Sequence, residues 1–183
     1  MKDVQRLIEK CLAGDRRAHG QLYEAFAPYS LAVIRRYGIG GGREADLLQE
    51  IFIEVFRDLN RYNFQKASFK TWLRQITVFR IIDHQRKGAQ LYFKSIEGSV
   101  GFDVADDSES LQHLPPSYLL EAIAQLPPGY RTVFNLYAVE GFSHDRIAKL
   151  LDISAAGSRS QYHRARKLLQ KMLKKNLMPN EIY

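Results

Sequence analysis

Residues 142–167, FSHDRIAKLLDISAAGSRSQYHRARK, set two helical patterns either side of a short break and load the second with cations. In the first pattern Ile147, Leu150 and Leu151 recur at helical spacing. Ser143 stands just before them, where a hydroxyl can accept from the exposed N–H groups of a first helical turn. Asp152, Ile153 and Ser154 interrupt the series, with Ser154 offering a second cap. Ser158, Tyr162, Ala165, Leu168, Leu169 and Met172 then form the inner stripe of another helix, which leaves Arg159, Ser160, His163, Arg164 and Lys167 on its opposite side. A helix-turn-helix needs this pairing, with that polar face turned to the major groove of DNA. A helical hairpin with a solvated basic face has the same pattern. Charge favours the first: Arg159 to Lys175 holds seven Lys or Arg and no acid, whereas an ordinary exposed face mixes signs to gain i,i+4 pairs. A polyanion is the expected partner.

The rest of the composition agrees. The 183 residues are enough for one domain or two small ones, and 45% hydrophobic content argues against wholesale disorder. A formal charge of +7 suits a nucleic-acid ligand without identifying one. Cys11 is the single cysteine, so no intrachain disulfide can form, and no long apolar run marks a signal peptide or a membrane insertion. A folded cytoplasmic protein is expected.

Charge is segregated along the chain. Residues 3–37 carry Val4, Leu7, Ile8 and Leu12, then Leu22, Tyr23, Phe26, Tyr29, Val33 and Ile34, at the spacing of two helices parted at Ala13, Gly14 and Asp15. Pro28 predicts a kink or a shortening of the second, because it removes a backbone donor. Gly38 to Gly42 stops the pattern, and without the lysine and following hydroxyl of a Walker motif it implies no phosphate-binding loop. Arg43 to Arg61 reads as one strong helix with Leu48, Ile51, Phe52, Val55 and Leu59 on its buried face. Asp46, Glu50, Glu54 and Asp58 repeat at i,i+4 on the outer side, where like charges cost an isolated helix a few tenths of a kcal/mol per pair. The ladder is either a solvated acidic face or a docking surface for a basic protein.

Between residues 61 and 94 the sign reverses, with Arg61, Lys66, Lys70, Arg74, Arg80, Arg86, Lys87 and Lys94 against Asp83 alone. Tyr62, Phe64, Phe69, Trp72 and Phe79 are interleaved with these cations. Trp72 with Leu73 and Ile76 fits a core, while the loop from Arg61 to Ser68 offers what an unpaired strand needs: cations for phosphates and flat faces for bases. Ser68 caps a helix expected to run to about Lys87. Ser95 to Tyr130 then lacks Lys and Arg altogether and carries Glu97, Asp103, Asp106, Asp107, Glu109 and Glu121. Its portion from Gly98 to Pro116 reads as a flexible acidic linker. Beyond it, Leu119, Leu120, Ile123 and Leu126 form one helix, Pro127, Pro128 and Gly129 break it, and Val133, Phe134, Leu136 and Tyr137 begin another that Gly141 ends. The fold class is therefore all-α: two small helical domains joined by the linker, the second holding the helix-turn-helix.

Four blocks, in order, resemble the small two-domain sigma factors of bacteria, the extracytoplasmic-function class of the sigma-70 superfamily. Asp46 to Phe56 (DLLQEIFIEVF) is similar to the family's D-L-x-Q-E-x-F helix, and Phe69 to Arg86 (FKTWLRQITVFRIIDHQR) to its F-x-x-W-L-x-x-I…D-x-x-R run. Leu126 to Leu136 (LPPGYRTVFNL) is similar to L-P-x-x-x-R-x-V-F-x-L, and Gly141 to Leu169 to its helix-turn-helix. The resemblance implies a region 2 domain at 1–94, a linker at 95–116, a region 4 domain at 117–176 and a tail at 177–183. Asp46, Gln49, Glu50, Ile53 and Glu54 would meet the clamp helices of core RNA polymerase, and Val133 and Tyr137 its flap. Arg61, Tyr62, Asn63, Phe64, Lys66, Ser68, Lys70, Arg74, Gln75 and Phe79 would meet the −10 promoter element, the loop taking a flipped non-template base and the helix after it supporting strand separation. Arg159, Ser160, His163, Arg164 and Lys167 would read the −35 element. The linker would thread the polymerase toward its RNA path, and an anti-sigma factor would be a further partner.

The chain departs from the family pattern at Ala156 and Gly157, where Gly-Thr is usual, at Arg146 in place of Glu, and at Phe79 in place of Asn. These positions bear on promoter sequence. A plain helix-turn-helix regulator would need neither the acid ladder nor the basic-aromatic stretch. A nuclease would need a metal or acid–base cluster, yet His19, His84, His113, His144 and His163 are scattered and Asp83-His84 has no companion ligands in sequence. No cofactor, no metal and no catalysis by the chain itself are expected.

Overall fold

The computed structural model describes residues 2–94 and 116–177, with side chains for 3–86 and 118–174, and the chain divides into two units, 1–84 and 85–183. The expected linker and tail lie almost wholly outside the described residues. Every regular element among the described residues is helical.

The first unit begins with α1 (Lys2–Leu12) and α2 (Arg16–Arg36), joined where Asp15 caps α2 by accepting from the Arg17 and Ala18 N–H groups. Pro28 neither shortens α2 nor interrupts it. Proline in a helix interior costs about 3 kcal/mol. Burial of Leu22, Ala27, Ser30, Val33 and Ile34 on both sides of it offsets that cost. Tyr37 and Ile39 carry the core into the glycine turn, and Gly42 adopts the left-handed conformation (φ 87°) at the start of α3, where a Cβ would be strained.

The third helix, α3 (Arg43–Arg57), ends four residues sooner than its sequence pattern suggests, passing into a 3₁₀ turn at Leu59–Arg61. The apolar stripe survives the change because Leu59 stays buried with Leu48, Ile51, Phe52 and Val55, and Leu47 joins them. Ser68 caps α4 (Phe69–Lys94) by accepting from the Thr71 N–H at 3.1 Å, and that helix runs seven residues beyond the predicted end. Phe69, Leu73, Val78, Ile81 and Ile82 bury one side of it, and Thr77 adds a buried hydroxyl contact to Ser30 on α2.

In the second unit α5 (Pro116–Gln125) buries Ala122 and Ile123, and Leu126 follows them into the core. Leu119 and Leu120, read with Ile123 and Leu126 as one helix, lie on it as expected but are exposed. Pro128 occupies the first turn of α6 (Pro128–Phe134), where its missing N–H has no helical partner to lose. A π-helical turn, Asn135–Val139, continues α6, closed by the Glu140 N–H donating to the Asn135 carbonyl at 2.9 Å. Gly141 (φ 73°) then releases the chain into α7 (His144–Leu151) and α8 (Ala155–Leu177). Ala165, Leu169 and Leu173 of α8 pack on Ala122, Ile123 and Leu126.

Trp72 is the single tryptophan and sits in the first unit, so its fluorescence reports that unit. Leu73 is wholly buried, and Leu73→Ala should lower the stability read from Trp72 in denaturant titration by about 2–5 kcal/mol.

Candidate nucleic-acid and polymerase interfaces

The helix-turn-helix is assembled from its caps. Ser143 accepts from the Arg146 N–H at 3.3 Å to start α7, and Ser154 accepts from the Gly157 N–H at 2.8 Å to start α8. Between them Asp152 takes the left-handed conformation (φ 56°) and returns its N–H to the Ala148 carbonyl, turning the chain within three residues. A side-chain cap contributes about 1 kcal/mol.

Of the α8 polar face, Arg159 and Lys167 are exposed, while Ser160, His163 and Arg164 are half-buried. Arg164 reaches the Tyr130 hydroxyl at 3.5 Å, so one edge of its guanidinium faces the protein. The inner stripe of α8 also holds Gln161, missed by a reading that looked for apolar residues alone. His144 was missed as well. Its Nδ1 lies 2.9 Å from the Ser158 Oγ, and its ring stacks on Tyr137 at 4.2 Å, so it joins α7, α8 and the π-helical turn. A lone polar residue at a helix start carries no sequence signal of such a role.

Burial pushes the His144 imidazole below its usual value of 6.5; Arg159 adds to the shift and Asp145 opposes it. The neutral ring is the form the fold favours. Its contribution is therefore complete above about pH 6.5 and declines as pH falls toward the folded value. The thermal midpoint of the second unit should drop between pH 7.5 and 5.5, and His144→Phe should flatten that dependence in circular-dichroism melts.

The π-helical turn decides between two residues expected to face the polymerase. Val133 is 0% exposed and belongs to the core, so it is withdrawn as a contact residue. Tyr137, one turn on, is 39% exposed and remains at the surface beside Val139. A π turn places one extra residue in the helical circuit and so changes which side chains point outward.

On α3 the acid ladder divides. Asp46, Gln49 and Glu50 are exposed together with Ile53, whose side chain is left 67% exposed in their midst. Glu54 is half-buried between Arg80 of α4 and Arg57, and Asp58 is held by Arg57 at 3.1 Å and by Arg61 at 3.8 Å. The hydrogen bond from Arg57 pulls the Asp58 carboxyl below its ordinary range. The like-charge repulsion read from spacing is thus relieved at the lower half of the helix by arginines. Arg80 enters from another helix, out of reach of a local pattern.

The loop from residue 61 to 68 is a built structure. Asn63 Oδ1 accepts from the Gln65 N–H at 2.9 Å, and the Tyr62 hydroxyl donates to the Ala67 carbonyl at 3.0 Å. The Tyr62 ring meets Phe69 edge-on at 5.5 Å and Trp72 at the same distance, and burial raises its phenol pKa. Tyr62 therefore braces the loop. Phe64 is 58% exposed beside it, and Arg61, Asn63, Lys66, Ser68, Lys70 and Gln75 are exposed as well. The Lys70 ammonium lies over Tyr29 at 4.5 Å. Arg74 and Phe79 are half-buried. Phe64, Tyr62 and Phe69 line a cleft of about 300 Å³ together with Val4, Gln5 and Ile8 of α1 and Phe26 of α2.

Two family descriptions match this chain: sigma-70 region 2 over residues 22–90 and sigma-70 region 4 over residues 116–169. The RNA polymerase sigma factor CarQ of Myxococcus xanthus is 30% identical over 91% of this chain and 95% of its own. The RNA polymerase sigma-H factor of Pseudomonas aeruginosa is 27% identical over 92% of this chain and 93% of its own. The extracytoplasmic-function sigma factor SigE of Mycolicibacterium smegmatis is 29% identical over 89% of this chain, which spans 65% of that protein's length. The solved structure of CnrH in complex with the cytosolic domain of CnrY overlays with a TM-score of 0.48 at 22% identity, covering 92% of this chain and 96% of that one. The chain belongs to the extracytoplasmic-function sigma factors of the sigma-70 family. As an RNA polymerase sigma factor it is a transcription specificity subunit that binds core polymerase and promoter DNA. No helix among the described residues is long and apolar enough to cross a membrane.

Proposed function

We propose that this sigma factor docks on core RNA polymerase through the exposed half of α3, reads a −35 element with α8, and holds an unpaired −10 strand on the loop from residue 61 to 68. The observation that carries the reading is the loop itself: exposed Phe64 stands beside an aromatic-lined cleft and is flanked by Arg61, Lys66 and Lys70. A stacked base contributes about 1–3 kcal/mol, comparable to the cost of unstacking it from a duplex. Strand separation would then draw on binding free energy, and this chain needs no nucleotide hydrolysis for it. The domain limits 1–94 and 117–176, with 95–116 as linker, belong to the same proposal.

For docking, the surface is reduced to Asp46, Gln49, Glu50 and Ile53. An exposed isoleucine among acids suits a partner that is apolar at its centre and basic around it. Glu54 is assigned to holding Arg80, and Tyr137 takes the flap contact alone. On α8, Arg159 and Lys167 would carry the phosphate and base-edge contacts open to solvent, with Ser160, His163 and Arg164 closer to the fold. An anti-sigma factor is the further partner that the family adds.

Glu50→Lys should weaken co-elution with core polymerase about tenfold and leave the unfolding curve of the free protein unchanged, because Glu50 is exposed. Core binding that is indifferent to Glu50→Lys and to Asp46→Lys would remove the docking face. Phe64→Ala in the assembled holoenzyme should cost about tenfold in affinity for a single strand while duplex −35 binding stays constant. Equal strand affinity with and without Phe64 would sink the capture reading.

A further inference from the structure

The first turn of α8 has few side chains with which to fix itself. Ala155 and Ala156 open the helix and Gly157 follows them, at a cost of about 0.5–1 kcal/mol of helix stability against alanine. Ser154 caps this turn along the helix axis. Across the axis the tie is His144 of α7, whose Nδ1 lies 2.9 Å from the Ser158 Oγ. Ser158 is wholly buried, and the imidazole beside it is itself stacked on Tyr137 at 4.2 Å.

Arg159 comes next in the chain, about 100° further round the helix. It is exposed and shares a surface hollow of about 650 Å³ with Tyr137, Phe142, Ser143, His144 and Asp145. Its charge lies near enough to the imidazole to be the second cause, after burial, of the lowered His144 pKa. Asp145 lines the same hollow, yet no hydrogen bond or ion pair holds the Arg159 guanidinium among the described residues. The direction of Arg159 is therefore inherited from the backbone at Ser158. Forked pairing of a guanidinium with the edge of guanine tolerates an error of only about 10–20°.

We infer that His144 is a positioning residue for −35 recognition: through Ser158 it sets the rotation of the first turn of α8, and with it the base pair that Arg159 reaches. The inference rests on the reading of α8 as the −35 recognition helix. The ring of His144 has two separable functions here. Its face packs on Tyr137, which steadies the fold, and its Nδ1 holds Ser158, which aims Arg159.

The test uses holoenzyme assembled from core RNA polymerase and the full chain, offered a pool of DNA duplexes randomised over the −35 region, with the bound fraction sequenced. Arg159→Ala marks the position: one base pair preferred about tenfold by wild type should lose its preference. His144→Phe, which keeps a ring against Tyr137 and removes the polar atom, should flatten that same position and leave the others standing. Ser158→Ala should do likewise. His144→Asn, which carries a polar atom where Nδ1 stood and has no ring to stack, should keep the preference despite its poorer packing. A purely structural role would flatten every position together. That result, or a preference kept in His144→Phe or Ser158→Ala, or one lost in His144→Asn, overturns the inference while leaving −35 reading by α8 in place. Preferences unaltered by Arg159→Ala overturn the role of Arg159 in that reading, and the role of His144 with it.

Discussion

The buried stripe of α8 is the contact on which the second unit depends. Ser158, Gln161, Ala165, Leu169 and Leu173 follow one another at three- and four-residue steps, and each is nearly or wholly inaccessible to solvent. With Ala122, Ile123 and Leu126 against the later members, and His144 against Ser158, rotation of α8 about its axis is fixed. The orientation of Arg159 and Lys167 follows from that. A helix that presents side chains to a ligand must be held in register by contacts on its other side, and here small Ser158 and Ala165 admit close approach while branched Leu169 and Leu173 fill the core.

The first unit solves a different problem with the same device. It leaves an acidic surface and a basic loop exposed on one small unit without pairing Asp46 and Glu50 to the loop cations. Arg57, Arg61 and Arg80 neutralise Glu54 and Asp58, the acids nearest the loop, and leave Asp46 and Glu50 open. The exposed ion pairs contribute little to stability, because solvent screens them and side-chain entropy opposes them. Their effect is on the electrostatic field: the exposed acidic patch on α3 and the exposed cations of the loop remain distinct in sign, so a polyanion is repelled by the one and drawn to the other.

Tyr62 and Phe64 show how two aromatics two residues apart in one loop come to different uses. Tyr62 has both a ring to bury against Phe69 and Trp72 and a hydroxyl to close the loop on Ala67. Phe64 has no polar handle and is only partly covered, so more than half of its surface stays in water. An exposed phenylalanine costs solvation free energy that a stacked base would recover.

The sequence by itself determined the helical class, the helix-turn-helix with both its caps, the division of charge along the chain and most of the core. These depend on the helical period, on hydroxyls at helix starts and on glycine, all of which act within a few residues. Tertiary structure decided the rest. Val133 is core while Tyr137, four residues on, is exposed, because the π turn after Phe134 shifts the helical phase between them, and Leu119 and Leu120 are exposed although they share α5 with buried Ala122 and Ile123. Pro28 was absorbed by packing on both sides. The pairing of Glu54 with Arg80 and the bridge from His144 to Ser158 join positions whose separation in sequence carries no period, so only the folded chain could bring them together.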